Sequence, residues 1–141
     1  MTMTIDLSQA LAGLNRLAML NMSPWMELVG RQAQQAAQAR IQQSKHDPDS
    51  QPWSPWQPST ERHRIKKGNA GQGLLWDRGD LLNSIKFQTD GGGVTIGTEV
   101  GYAGYLQDGT EHMAARPFLG WSDAEVTKVE FSAIAFIEAL L

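Results

Sequence analysis

The stretch Ile85-Lys86-Phe87-Gln88-Thr89-Asp90-Gly91-Gly92-Gly93-Val94-Thr95-Ile96-Gly97 is where the pattern of the chain is least ambiguous. Ile85 and Phe87 alternate with Lys86 and Gln88, the period of a half-buried strand. Asp90-Gly91-Gly92-Gly93 is rich in residues that tolerate positive φ and reads as a turn. Val94 and Ile96 alternate with Thr95 and Gly97 on the return strand. An antiparallel hairpin follows, and with it a sheet that needs helices or further strands to cover its apolar face.

Working outward, Leu81 and Leu82 belong to a short helical or extended lead-in. Downstream, Tyr102, Ala103, Tyr105 and Leu106 read as the next ordered piece, with both tyrosines expected on a sheet face or in the core, and Gln107-Asp108-Gly109-Thr110 closes it. Phe118 and Leu119 form another short element, and Pro117 before them suits a strand start or sheet edge. The sheet is thus expected between about Ile85 and Leu119. Phe118 and Trp121 are expected to flank a sheet-to-helix corner and to be substantially buried.

Helical spacing governs both ends. Ser122-Asp123-Ala124-Glu125 has the capping-box spacing, after which Val126, Val129, Ala133, Ile134, Ile137, Leu140 and Leu141 recur at helical intervals. Phe131 and Phe136 lie off that stripe, so the last helix is apolar over more than one face, which implies deep burial or a partner surface. Near the start, Leu7, Leu11, Leu14 and Ala18 predict a first helix from about Asp6 to Leu20. Ser23 offers an N-cap oxygen and Pro24 suits the first helical position, predicting a second helix to about Ser44. Its apolar stripe reads as Trp25, Leu28, Val29, Ala33, Ala36, Ala37 and Ile41. Opposite lies an amide-rich face that includes Gln34, Gln38 and Arg40, either an ordinary surface or a subunit contact made without the desolvation cost of charges.

From about residue 46 to Ala70 the composition shifts to proline and turn residues, with Pro48, Pro52, Pro55 and Pro58 breaking regular structure and at most one helical turn over Thr60–Ile65. Loops this long inside a compact domain are usually functional or disordered. Trp53 and Trp56 argue against disorder, since each can bury on the order of 200 Å². They are expected to pin the loop to the domain or to a neighbouring subunit. The architecture expected for the single domain 1–141 is α+β: N-terminal helices, a small antiparallel sheet, and a C-terminal helix packed on the sheet.

Composition narrows the function classes. The net charge of −3 across 141 residues gives no electrostatic ground for specific nucleic-acid binding. The local run Arg62-His63-Arg64-Ile65-Lys66-Lys67 is the exception, read as a solvated segment or a protein contact. There are no cysteines, which removes disulfides and thiolate metal sites. No secretory leader or long apolar run is present, so synthesis in a cytoplasm is expected and no membrane partner. His63 and His112, with Asp80, Asp108 and Glu111, lack any HExxH, paired-carboxylate or nucleophile-elbow pattern. No catalytic residue, metal or cofactor is therefore assigned. A small hydrolase or nuclease using His63 and His112, and a nucleic-acid-binding accessory protein using Arg62, Arg64, Lys66 and Lys67, stand as alternatives.

Four blocks in fixed order carry a resemblance: Leu75, Gly79, Leu82, Ser84 and Ile85; Ile96-Gly97-Thr98 with Tyr102, Ala103, Gln107 and Gly109; Arg116-Pro117-Phe118-Leu119-Gly120; and, upstream, Asp47-Pro48-Asp49-Ser50-Gln51-Pro52-Trp53. Together they resemble the phage virion morphogenesis (tail completion) family, over roughly residues 23–141. Ser50 departs from the pattern, since glycine is commoner there. The resemblance implies a structural virion protein that finishes the tail and helps join it to the head. It implies partners that are further copies of itself in a ring, six being natural for a tail, together with head connector or neck proteins and tail tube or terminator proteins. The candidate contact residues are Trp53, Trp56, Gln34, Gln38, Arg62 and Arg64.

Overall fold

The structure is a computed structural model that describes residues 1–14 and 21–140. The chain opens with strand β1 (Thr2–Asp6) and helix α1 (Ser8–Leu14), then the long helix α2 (Ser23–Ala39), which ends in a π-helical turn (Arg40–Ser44). Helix α3 (Pro58–Lys67) and a 3-10 turn (Ala70–Gln72) lead to α4 (Asp80–Ser84) and the hairpin of β2 (Lys86–Thr89) and β3 (Gly93–Gly97). Helices α5 (Ala103–Asp108) and α6 (Asp123–Leu140) complete it. The fold class is α+β, as expected.

The predicted hairpin forms, with Phe87 opposite Ile96 and Thr89 opposite Val94. The sheet order is β1-β3-β2, antiparallel throughout, so the third strand comes from the beginning of the chain and not from Tyr102–Leu119. Thr2-Met3-Thr4-Ile5 alternates as a strand should. Met3 sits opposite Ile96 and Ile5 opposite Val94, extending the inner face, while Thr4 and Thr95 meet through their hydroxyls outside (3.2 Å). The expected first helix therefore begins two residues later, at Ser8, and its 15–20 portion lies outside the described residues.

Helix α2 covers the inner sheet face. Trp25, Met26, Val29, Gly30, Ala33 and Ala37 are its buried residues, and Leu28 of the expected stripe is exposed. Gly30 explains the close approach: a Cβ there would lie 2.2 Å from the Phe87 ring. Ser23 is the first helical residue and does not cap. The Asn21 carboxamide oxygen instead accepts the Ser23 N–H (3.1 Å). Two apolar clusters result. One joins Ile41, Trp53, Leu81, Leu82, Ile85, Ile96, Ala103, Phe118 and Leu119, and the other joins Leu11, Met22, Trp25, Met26, Val29 and Val94.

In place of a strand the chain forms α5, in which Ala103 and Leu106, three residues apart, turn inward. Tyr102 before the helix and Tyr105 within it are exposed and lie neither on a sheet face nor in the core, contrary to expectation. Phe118 and Leu119 are buried without forming a strand. The expected capping box at α6 is present: Glu125 N–H donates to Ser122 Oγ (3.1 Å), and Ser122 N–H donates to Glu125 Oε2 (3.2 Å). Helix α6 packs against α2 and the second cluster through Val129, Ala133, Phe136 and Ile137, with Trp25 Nε1 donating to Ser132 Oγ (2.9 Å). Phe136 thus faces inward, whereas Val126 and Ile134 of the expected stripe face out.

Phe118 has no exposed surface and sits in the first cluster. Phe118→Ala is expected to lower stability by about 3–5 kcal/mol in denaturant titration. A loss below about 1 kcal/mol would show that the cavity closes or that the ring is not packed as described.

Candidate interaction surfaces

Two kinds of residue need separating: those that hold the loops to the body and those left for a partner. The segment Arg116–Gly120 is coil, yet Phe118 and Leu119 are buried, so its peptide groups cannot rely on a ladder. Side chains serve it instead. Trp53 Nε1 donates to the Pro117 carbonyl (2.8 Å), and Arg40 Nη1 donates to the carbonyls of Phe118 (3.0 Å) and Gly120 (3.3 Å). Gln107 Nε2 donates to the Leu119 carbonyl (2.9 Å), while Gln107 Oε1 accepts the N–H groups of Phe118 and Leu119 (both 3.1 Å). Arg116 reaches the other way, to the carbonyls of Ser54 (2.8 Å) and Pro55 (3.0 Å). Burial lowers its pKa from the ordinary arginine value.

The loop is held at both ends by the same logic. Asp47 Oδ1 accepts the N–H groups of Asp49 (2.8 Å) and Gln51 (2.9 Å), and Pro48 packs where Gly120 has room, since a Cβ on Gly120 would lie 2.6 Å from Pro48 Cγ. Ser50 adopts φ +65°, a left-handed backbone costly for a residue with a Cβ. Lys45 Nζ donates to the carbonyls of Ile41, Gln72 (2.8 Å) and Leu74 (2.8 Å), tying the turn at Ala70–Gln72 to the end of α2, and burial lowers its pKa.

The candidate contact residues divide accordingly. Trp53 is 5% exposed and belongs to the core, so it is no surface anchor: its indole N–H is spent inside the domain. Trp56 is half-buried, with the Arg64 guanidinium 5.2 Å from its ring centre. Arg64 also pairs with Asp77 (3.3 Å) and so turns inward. Gln38 donates to the Leu82 carbonyl (3.3 Å), and Gln34 is half-buried on α2. Arg62 is exposed on α3. In place of the expected single turn, α3 is a full helix, started by Pro58 and stopped by Gly68 at φ +80°, signals that sequence reading could have used. Arg40, assigned to the polar face, is buried, donating to Glu125 (2.5 Å) as well as to the two carbonyls. Its spacing of seven from Ala33 and three from Ala37 was the available sign.

Trp56, Arg64, Asp77, Asp80, Tyr102 and His112 help line a cleft of about 550 Å³ between α3 and α5. Burial, then the nearby Asp80 and Asp77 carboxylates, raise the Tyr102 pKa above the usual phenol value, with Arg64 opposing. His112 lies on its rim, highly exposed and 3.1 Å from Glu111, whereas His63 sits on α3 outside the lining. The two histidines named for an alternative hydrolytic role do not share this cleft. Among the described residues no group of three His, Asp or Glu side chains is placed to hold a metal ion. No helix there is long and apolar enough to cross a membrane.

Besides Tyr102 and Tyr105 at α5 and Leu28 on α2, exposed apolar side chains left for partners lie on α6 and α3. Outward on α6 lie Phe131 (67% exposed) and Ile134 (53%), and α3 has no buried residue and exposes Ile65 (62%). In comparisons with known proteins, the phage virion morphogenesis family model matches residues 4–137. Neither a curated protein nor a solved structure matches the chain.

Gln107→Leu removes an acceptor for two buried N–H groups and a donor to a third peptide group, and is expected to cost at least about 2 kcal/mol. Gln107→Glu, which keeps the acceptor, should cost less, and equal losses in chemical denaturation would refute the clasp. Ser50→Gly relieves the left-handed backbone and is expected to raise stability by up to about 1 kcal/mol. A drop in melting temperature would show that the Ser50 side chain contributes more than its backbone costs.

Proposed function

The chain belongs to the phage virion morphogenesis family, and from that premise we propose that it completes the tail and joins it to the head as a ring-forming component of the neck. Membership itself gives a role in virion morphogenesis and a virion-associated protein. The finer reading rests on one observation above all: after α6 has covered the second cluster, its outer face still presents Phe131 and Ile134 to solvent. A small domain without cysteines gains most from covering such a face with another protein. The partners in this reading are further copies in a ring, six in number to match a tail, then head connector or neck proteins on one side and tail tube or terminator proteins on the other.

The role is structural. The polar side chains of the motif blocks are engaged within the domain: Gln107, Arg116 and Trp53 hold chain segments together through backbone groups, and Ser84, from the remaining block, pairs with Thr98 at 2.5 Å. Such residues support a rigid part, not a reacting centre.

The test is genetic. Disrupting the gene in a phage or inducible prophage that carries it is expected to give filled heads and separate or misshapen tails by electron microscopy, with infectivity restored by the wild-type gene supplied in trans. Normal, infectious particles from the disrupted strain would overturn the proposal.

A further inference from the structure

Helix α6 and helix α3 each keep one face that the domain does not use, and the two faces are opposite in net charge. On α6, residues 127, 130, 131, 134 and 138 fall at the 3-4 spacing of one helix face. There Phe131 and Ile134 lie between Glu130 and Glu138, all four exposed. Neither carboxylate has an ion-pair partner among the described residues. On α3, Arg62 lies three residues before Ile65 and four before Lys66, so the two cations line one side of Ile65 and Glu61 borders the other; all are exposed, and neither cation has an ion-pair partner among the described residues. Helix α3 leans on the domain chiefly through Arg64, which meets Asp77 and Trp56, and packs against the turn at Ala70–Gln72. A helix of 10 residues with so little packing gains from a partner.

We propose that α6 of one copy docks on α3 of the next, Phe131 and Ile134 covering Ile65 while Glu130 and Glu138 meet Arg62 and Lys66. Because the two patches are different surfaces of the same chain, the contact is head-to-tail, the type that closes rings when the rotation permits. Exposed Lys128, three residues before Phe131, edges the α6 face, so an α6–α6 contact would bring four carboxylates and two lysines together and keep a net excess of like charge, which disfavours the symmetric alternative. The sizes agree: Glu130 to Glu138 spans about 12 Å of helix and the whole of α3 about 15 Å at 1.5 Å per residue. This inference deepens the ring reading and rests on it for its biological setting.

The test uses the full chain in sedimentation velocity and light scattering across concentration, at low and moderate salt. The wild-type chain is expected to self-associate, more tightly at low salt. Glu130→Lys with Glu138→Lys, and separately Arg62→Glu with Lys66→Glu, should each weaken association at least about tenfold. Mixing the two variants should restore it, since each altered face then finds a complementary one on the other chain. Circular dichroism checks folding, and the matching alanine pairs replace any variant that melts.

A chain that stays monomeric, or association untouched by the α3 variant, overturns the contact. So does salt-dependent binding of a duplex DNA oligonucleotide that the α3 variant abolishes while self-association persists. Rings that survive both variants would overturn this contact and leave the neck proposal standing. Restored association in the mixture, together with normal particles from the disrupted phage, would uphold the contact and remove the neck.

Discussion

Everything in the domain depends on how a buried segment without secondary structure has its peptide groups satisfied. Arg116–Gly120 runs through the first cluster, and the carbonyls of residues 117 to 120 are met by Trp53, Arg40 and Gln107, drawn from three distant parts of the chain. Each unpaired group would cost about 1–3 kcal/mol in the interior. The three side chains therefore do what a neighbouring strand would do, and they also fix the loop at 46–58, α2 and α5 relative to one another. Arg40 continues the chain of contacts to Glu125, whose other oxygen caps α6. Loop, core and last helix are thereby joined through one hydrogen-bonded network.

This arrangement gives the motif blocks a physical reading. Gly120 is required by Pro48, Trp53 by Pro117, and Gln107 by the backbone between Phe118 and Leu119. Blocks separated by dozens of residues in sequence meet in one place, and their spacing reflects the reach of particular side chains. Ser50 is the local exception, holding with a side chain a backbone shape that suits glycine.

The parts legible in the sequence were those with a local period or cap: the β2–β3 hairpin, the length of α2, and the capping box of α6. Strand β1 escaped because five residues of alternation are short and its partner lies about ninety positions away. Segments around Tyr105 and Phe118 were misread because apolar density without a clear period does not separate strand, short helix and buried coil. The outer face of α6 was visible as excess apolar character, but which face would be covered depended on α2. Trp53 and Trp56 looked alike in the sequence. Only the position of the Pro117 carbonyl makes the first a core residue and leaves the second at the rim of a cleft.

The sheet order has a consequence for how the chain acquires its structure. Strand β3 is central, and β1 can pair only with it, so the earliest segment must wait unpaired until residues 93–97 have been made. The hairpin of β2 and β3 is local and closes quickly, whereas adding β1 requires closing a loop of about two thirds of the domain length. During that interval the inner edge of β3 is open to any extended segment nearby, including the same segment of another nascent chain. Proteins made in many copies at once, as virion parts are, face that hazard at its worst, and the threonines that alternate along β1 keep the waiting strand half polar until its own partner is ready.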